Sequence, residues 1–343
     1  MASTGKTRYI WIDSMKLFAC ILVVLGHLYM SMVSSGWISE TAVYYCFPIQ
    51  MVYTFHVPLF FVCSGFLYQI KIVDYSFDSH VKNIKIKALS LGIPYFVFSF
   101  ITILLKTVFA AEVNNQATPI LRTLFWEPVA PYWYLYTLFF MFCLMPRFKN
   151  TKHLNVTFLV AVVVKIVYVV VPWTFSVPDI VAKLASNAIW FLFGMVLTQN
   201  NVRERMKNKW ATILSLMLGI IFSVVFYRNS NPSHIVQFII AVLFVCSLTS
   251  LFMQNTDEKH RNRITDLSQY FMPIYLMHTI FAAGIRVILL KIGVHALGVH
   301  IIVGVIVSIV IPVVVYEIAK KNWLLLFWIE PLKALKMKEK RNV

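Results

Sequence analysis

The chain has 343 residues, of which 59% are hydrophobic and 13% are charged, and it contains repeated apolar runs of about 17 to 25 residues, the length needed to cross a bilayer core. This composition excludes a soluble globular protein and predicts an all-α, polytopic membrane protein. The net charge of +17 does not indicate a nucleic-acid-binding surface, because the basic residues cluster between the apolar runs.

Ten apolar segments are predicted to span the membrane as helices. They cover residues 17–35, 43–70, 88–111, 131–146, 154–172, 181–198, 211–227, 234–253, 267–290 and 299–319. The first segment lacks a small-residue cleavage site and precedes many further spans, so we interpret it as a retained helix. No fixed-period repeat or soluble insertion interrupts the series, and residues 1–343 are predicted to form a single membrane domain.

The basic residues are distributed unevenly between the two sides of these predicted spans. With the N-terminus in the cytoplasm, 24 of the 31 Lys and Arg residues fall on the cytoplasmic side, whereas Arg122, Arg228 and Lys291 fall outside. Such an asymmetry follows the positive-inside rule. We therefore expect a plasma-membrane protein with a short cytoplasmic N-terminus, a basic cytoplasmic C-terminal tail and an even number of crossings.

The stretch IDSMKLFACILVVLGH, residues 12–27, places an acid, a base and an imidazole in the first predicted helix. Lys16 and His27 are eleven residues apart, about three turns and about 16 Å, so they share a helix face. Asp13 can point into the same groove. Lys16 has either a functional role or that of an interface anchor, for which a lysine at a helix end is also typical. His27 has either a functional role or that of a structural hydrogen bond between helices.

The second predicted helix contains FHVPLFFVCSGF, residues 55–66. It returns from the outer side and brings His56 to about the depth of His27. Pro58 removes a backbone donor and can open the helix where it lines a cavity. Ser64 and Gly65 permit the close approach of either a ligand or a neighbouring helix.

These two motifs resemble the acyltransferase-3 family of membrane proteins, particularly members similar to fucose 4-O-acetylase. The resemblance continues through YWYLYTLFF at 132–140, WFLFGMVL at 190–197 and SQYFMPIYLMH at 268–278. It implies an acyl-CoA-dependent O-acyltransferase, which moves an acyl group, usually acetyl, from cytoplasmic acetyl-CoA to a hydroxyl of a cell-surface or lipid-linked glycan. Family members commonly have Arg in the position of Lys16, and Lys keeps the charge but loses the bidentate fork.

The resemblance also implies partners and cofactors. Acetyl-CoA is the acyl donor and co-substrate, the acceptor is a saccharide of the cell envelope, and the lipid bilayer surrounds the chain. No metal is expected, because the sequence contains no His-Glu-x-x-His or Cys-x-x-Cys motif. No nucleic acid is expected, and a homo-oligomer is compatible with these features.

Within this resemblance, His27 is the principal catalytic candidate, acting as general base or as a transient acyl carrier. His56 is its supporting or oxyanion-stabilising partner. Lys16 is expected to bind the CoA phosphates, with Asp13 orienting Lys16 or the CoA head. Ser64, Lys85 and Lys87 are further candidates for CoA binding, although basic loop residues are also typical topology determinants.

Four residues are assigned to the acceptor. Glu127 is expected to order a hydroxyl, and Trp133 to stack on a sugar ring, although Trp at this depth is also typical of the interfacial aromatic belt. His278 and Arg286 in the ninth predicted span either line the acceptor pathway or form a structural polar network.

A transporter or flippase is the alternative from another class, with buried histidines that relay protons. The sequence gives it less support, because it shows neither an inverted repeat nor a pair of broken helices in matching positions.

Overall fold

A computed structural model describes residues 8–39, 43–71, 76–110, 119–171, 178–227, 233–255 and 261–341, with the side chains of 43–47 left aside. Arg228, one of the basic residues expected on the outer side, lies outside these ranges. Within them the chain is helical and has no strand. The described part of the molecule therefore confirms an all-α fold.

The helices follow one another along the chain with short connections. They are α1 (Ile10–Ser34), α2 (Val43–Gln69), α3 (Phe77–Lys87), α4 (Ile93–Val108), α5 (Ile120–Phe125), α6 (Trp133–Leu144), α7 (Thr151–Val170), α8 (Asp179–Val196), α9 (Asn200–Met206), α10 (Lys209–Tyr227), α11 (His234–Gln254), α12 (Arg261–Ser268), α13 (Phe271–Lys291), α14 (Leu297–Ala319), α15 (Trp323–Phe327) and α16 (Pro331–Arg341). A π-helical turn, Ala88–Gly92, joins α3 to α4. Among the described residues, nine helical segments are long and apolar enough to cross a membrane, with α3 and α4 counted as one. The protein is thus a multi-pass membrane protein.

The predicted span at 131–146 is shorter than expected. Its helix, α6, has 12 residues, which corresponds to about 18 Å and is less than a bilayer core. Pro146 explains the early end, since a residue before proline disfavours the helical region and Met145 is extended. Helix α6 still carries the chain across the bundle, because Trp133 lines a cavity at one end and His80 of α3 donates to the Cys143 carbonyl at the other.

Both described ends of the chain lie at the same end of the bundle. Arg8, just before α1, donates a hydrogen bond to Ser268 at the end of α12. Tyr270, just before α13, donates to Glu317 near the end of α14 at 2.7 Å. The start of α1 and the end of α14 are therefore neighbours, which agrees with an even number of passages.

Helices α2 and α8 cross with their backbones in direct contact. A Cβ atom added to Gly65 would lie 1.9 Å from the Phe191 carbonyl oxygen, and one added to Gly194 would lie 2.1 Å from the Val62 carbonyl oxygen. Small residues allow such approach between membrane helices. Of the two interpretations of Gly65, helix packing is the one that the structure supports, and this contact fixes α2, which carries His56.

Helices α1 and α13 both end in a glycine-terminated turn. After α1, the amides of Trp37 and Gly36 donate to the carbonyls of Met32 and Val33 at 3.0 and 2.9 Å, which is the Schellman pattern. Gly36 has a φ of 75°, and Gly293 after α13 has a φ of 80°, so each occupies the left-handed region that glycine tolerates. The two helices pack side by side and run in the same direction.

Candidate active site

A cavity of about 1150 Å³ lies between the helices. Its lining reaches the end of α7 and the start of α11, at the end of the bundle opposite the two chain ends. We call this the open end and the cavity the His27 cavity, because His27 lines it together with Tyr53, His56 and Trp133. The volume slightly exceeds the range of about 300 to 1,000 Å³ that is typical of ligand pockets.

His27 and His278 come together from two helices that are far apart in sequence. The centroids of their imidazole rings are 5.3 Å apart. His27 lines the cavity, whereas His278 is 1% exposed and is not among the lining residues. His278 therefore does not line the cavity expected to hold the acceptor. It lies behind His27.

The protonation of His278 follows from its hydrogen bonds. Its Nδ1 lies 3.1 Å from the Ile274 carbonyl oxygen and 2.9 Å from that of Tyr275. Carbonyl oxygens only accept, so Nδ1 carries the proton and neutral His278 has a lone pair on Nε2. Within the described part of the chain, that Nε2 is buried without a hydrogen-bond partner. It is an acceptor available beside His27.

His56 is held in the same tautomer. Its Nδ1 donates to the Val52 carbonyl oxygen at 2.7 Å, so its Nε2 is an acceptor when the ring is neutral. Neutral His56 therefore cannot donate a hydrogen bond from Nε2 to an oxyanion, and the expected oxyanion-stabilising role is not supported by this tautomer. A supporting role beside Tyr53, whose ring centroid is 4.8 Å away, remains the better interpretation.

Tyr53 is a site residue that the sequence analysis did not identify. Its ring centroid lies 6.2 Å from that of His27, and it lines the cavity. Gly26 makes room for it, since a Cβ atom there would lie 3.0 Å from the Tyr53 ring. The spacing of Tyr53 three residues before His56 on α2 was the available signal. Tyr53 carries a hydroxyl, which can donate a hydrogen bond within the cavity.

A group of cations occupies the opposite, basic end of the bundle. The positive charges of Lys71, Lys16 and Arg147 act on Lys87, whose Nζ lies 4.1 Å above the Phe142 ring; Lys71 itself is exposed. The Arg147 side chain is held in place because its Nε donates a hydrogen bond to the Tyr68 carbonyl oxygen at 3.0 Å. We call Lys16, Lys87 and Arg147 the basic cluster. Lys85 is exposed and is not among the charges that act on Lys87.

Asp13 and Ser64 have partners other than those expected. The Asp13 carboxylate receives a hydrogen bond from Arg8 Nε at 2.5 Å, so its ion pair is with Arg8 and not with Lys16. The Ser64 hydroxyl lies 3.1 Å from the Tyr134 hydroxyl. Ser64 therefore supports the wall of the cavity, which Tyr134 lines.

The acceptor candidates separate in the structure. Trp133 lines the His27 cavity, and Lys183 Nζ lies 5.4 Å from its ring centroid. Glu127 does not line it and is paired with Arg122 at 2.5 Å, a hydrogen bond that raises the pKa of Arg122 above its ordinary value.

Arg286 belongs to the structural network rather than to the cavity. It is 5% exposed and is not among the lining residues. Its guanidinium donates to the Ser31 hydroxyl at 2.6 Å. This contact ties α13 to α1 near the ends of both helices, so the pairing of the two helices that carry His278 and His27 depends partly on it.

A packed layer separates the His27 cavity from the basic cluster. On α1, the lining residue nearest to the basic end is Val23, and Lys16 lies seven residues earlier, about 10 Å along the axis. Ala19 and Cys20 between them are buried. The cavity is therefore open at one end and closed toward Lys16.

The family model described as "Acyltransferase domain" matches residues 9–317. The nodulation protein NolL of Mesorhizobium japonicum is 26% identical over 220 residues, which cover 63% of this chain and 56% of that protein. The match thus spans little more than half the length of this relative. No solved structure matches the chain.

Proposed function

The chain belongs to the acyltransferase-3 family, and we propose that it transfers an acetyl group from acetyl-CoA to a hydroxyl of a cell-surface or lipid-linked glycan. We place it in the plasma membrane with both termini in the cytoplasm, because 24 basic residues then lie on the cytoplasmic side. In this orientation the basic cluster faces the acyl donor, and the His27 cavity opens toward the acceptor on the outer side.

The observation that carries the proposal is the position of His27. It lines a large cavity, His278 lies directly behind it, and Tyr53 lies beside it. A neutral imidazole has a lone pair on one ring nitrogen and is suited to take and return a proton in each cycle. The lone pair on His278 Nε2 can accept an N–H from His27, directly or through water, so the other His27 nitrogen faces the cavity as the base.

The proposed reaction proceeds through a tetrahedral intermediate. His27 takes the proton of the acceptor hydroxyl while the oxygen attacks the thioester carbonyl carbon. Tyr53 donates a hydrogen bond to the oxygen that becomes negatively charged. Collapse of the tetrahedral intermediate forms the ester, breaks the C–S bond and releases the CoA thiolate, which takes the proton from His27. A transient acetyl-imidazole on His27 would use the same residues in two steps.

The basic cluster provides the other end of the donor site. CoA carries its phosphates at one end and its thioester at the other, joined by an extended pantetheine arm. The separation of about 16 Å between Lys16 and His27 along α1 suits a molecule of that shape. The packed layer around Ala19 and Cys20 must part to admit the pantetheine arm. Lys and Arg side chains form charge-assisted hydrogen bonds with phosphate, so we assign the phosphates to Lys16, Lys87 and Arg147.

The test is acetyl transfer by purified protein in vesicles without any ion or voltage gradient. Acetyl-CoA labelled in the acetyl group is added with glycolipids extracted from membranes of cells that lack this protein. We expect label to enter the glycolipid fraction as an ester that mild base removes. A transporter would leave the thioester intact under these conditions, and that result would overturn the proposal.

Replacing Lys16 with Glu is expected to weaken CoA binding by more than about 1 kcal/mol, because a charge-assisted bond is lost and a repulsive charge is added. Isothermal titration calorimetry with CoA measures the change. Lys152→Glu is the matched control, since Lys152 is exposed at the start of α7 and lies outside the basic cluster. Equal affinities for the two variants would remove Lys16 from the donor site.

A further inference from the structure

One wall of the His27 cavity carries a positive charge without a negative counterpart. Lys165 of α7 lines the cavity, and no Asp or Glu is found among the described residues that line it. Lys183 and Lys320, by contrast, have carboxylate partners, Asp179 and Glu317. Lys165 has no such ion pair in the described part of the chain.

The immediate surroundings of Lys165 are aromatic. Its Nζ lies 5.6 Å from the ring centroids of both Tyr168 and Phe238. Cation–π contacts of this kind orient an ammonium group but replace only part of its hydration. Lysines within membrane helices are costly unless they face water or an opposite charge. On the cavity wall, the Lys165 ammonium group can contact water when the site is empty. We expect it to face a negative charge when a ligand is bound.

The neighbouring wall adds groups suited to a polar ligand. Asn187, His234 and Gln237 line the cavity with Lys165, and His234 is the first residue of α11. The positive end of the α11 dipole thus adds to the potential that Lys165 creates. Trp133 and Trp190 line the same cavity. The cavity combines aromatic side chains, hydrogen-bonding side chains and one lysine.

We propose that Lys165 binds an anionic group of the acceptor, and that the acceptor is therefore a saccharide that bears a carboxylate or a phosphate. The proposal rests on the function proposed above and adds to it the chemical class of the acceptor. The competing explanation is that Lys165 extends toward the lipid head groups, since the end of α7 at Val170 is about 8 Å away along the axis. In that case its charge has no effect on the choice of acceptor.

The first experiment identifies the charge of the acceptor. Glycolipids from membranes of cells that lack this protein are separated by anion exchange into neutral and anionic fractions. Each fraction is incubated with labelled acetyl-CoA and wild-type protein in vesicles. We expect the label to enter the anionic fraction. Carbodiimide-mediated amidation of carboxylates or phosphatase treatment beforehand should then abolish the transfer, and whichever treatment does so identifies the anion. Transfer to the neutral fraction alone would overturn the proposal.

The second experiment tests Lys165 itself. Lys165→Met should lower kcat/KM for the anionic fraction by about 10- to 100-fold, the range expected for losing a hydrogen bond to a charged group, with KM for acetyl-CoA unchanged. Lys165→Arg should retain most of the activity. Lys106→Met is the matched control, since Lys106 also lies within a membrane-spanning helix but does not line the cavity.

The outcomes separate this proposal from the proposed function. If no fraction accepts acetyl groups from wild-type protein, the acyltransferase proposal fails and the acceptor proposal falls with it. If transfer occurs and Lys165→Met behaves like Lys106→Met, the acyltransferase proposal stands and Lys165 is a membrane-interface anchor. A selective loss with Lys165→Met, recovered by Lys165→Arg, supports an anion-binding residue.

Discussion

Replacing His27 with Gln is expected to lower the rate of acetyl transfer by about 10² to 10⁴-fold, the contribution of a general base. Glutamine keeps a hydrogen-bonding amide of similar reach but cannot accept a proton near neutral pH. Binding of CoA and thermal stability should change little, because Lys16 lies about 16 Å away along α1 and His27 borders a cavity. Initial rates in vesicles, with melting curves of the purified variants, measure both.

Two other histidines provide the comparison. His300→Gln is the matched control: His300 is buried, its Nε2 donates to the Val294 carbonyl at 2.8 Å, and it is not among the residues that line the His27 cavity. Its turnover should remain within a few-fold of wild type. His56→Ala should leave a measurable activity, because a supporting group typically contributes less than the base. Near-normal turnover of His27→Gln would show that His27 is structural and would move the search to His56.

Replacing Gly65 or Gly194 with Ala is expected to remove the folded protein almost completely. Each new methyl group would lie about 2 Å from a backbone carbonyl of the facing helix, and no side-chain rotation can relieve that contact. Overpacking typically costs about 1 to 3 kcal/mol, and a backbone clash exceeds this range, so the loss approaches the total stability of an ordinary protein. The yield of monodisperse protein in detergent and its melting temperature measure the effect.

Gly284→Ala is the control for this pair. Gly284 lies in α13, and a Cβ atom there would meet nothing within 4 Å. Alanine in a helix interior is better than glycine by about 1 kcal/mol, so this variant should be as stable as wild type or more stable. If Gly65→Ala and Gly284→Ala melt at similar temperatures, the close crossing of α2 and α8 is not a determinant of the fold.

The helices could be predicted from the sequence because a bilayer leaves the backbone no partner except itself. Apolar length therefore indicates each crossing, as it did for nine segments of the described chain. Helix α6 was the exception, because the proline at 146 ended it early. The spacing of Lys16 and His27 along one helix was predictable as well, since both lie in the continuous helix α1.

Contacts between helices were less predictable. The approach of His278 to His27 depends on how α13 packs on α1, which periodicity within either helix does not encode. For the same reason, Ser31 was not foreseen as the partner of Arg286. The Arg8–Asp13 pair is local, five residues apart, and was missed because Asp13 was expected to orient Lys16. In the sequence, Lys165 is only a cation inside an apolar run. Its proposed role depends on the cavity, to which seven other helices contribute lining residues.

The packed layer between Val23 and Lys16 has an electrical consequence. In the proposed orientation the His27 cavity opens toward water on the outer side, so the voltage across the membrane falls mainly over this thin apolar layer. Moving a full charge through it costs about 2.3 kcal/mol per 100 mV, whereas an acetyl group is neutral and crosses without electrical work. Under the proposed function, the neutral pantetheine arm can carry the acetyl group through this layer while the charged CoA phosphates stay at the basic cluster.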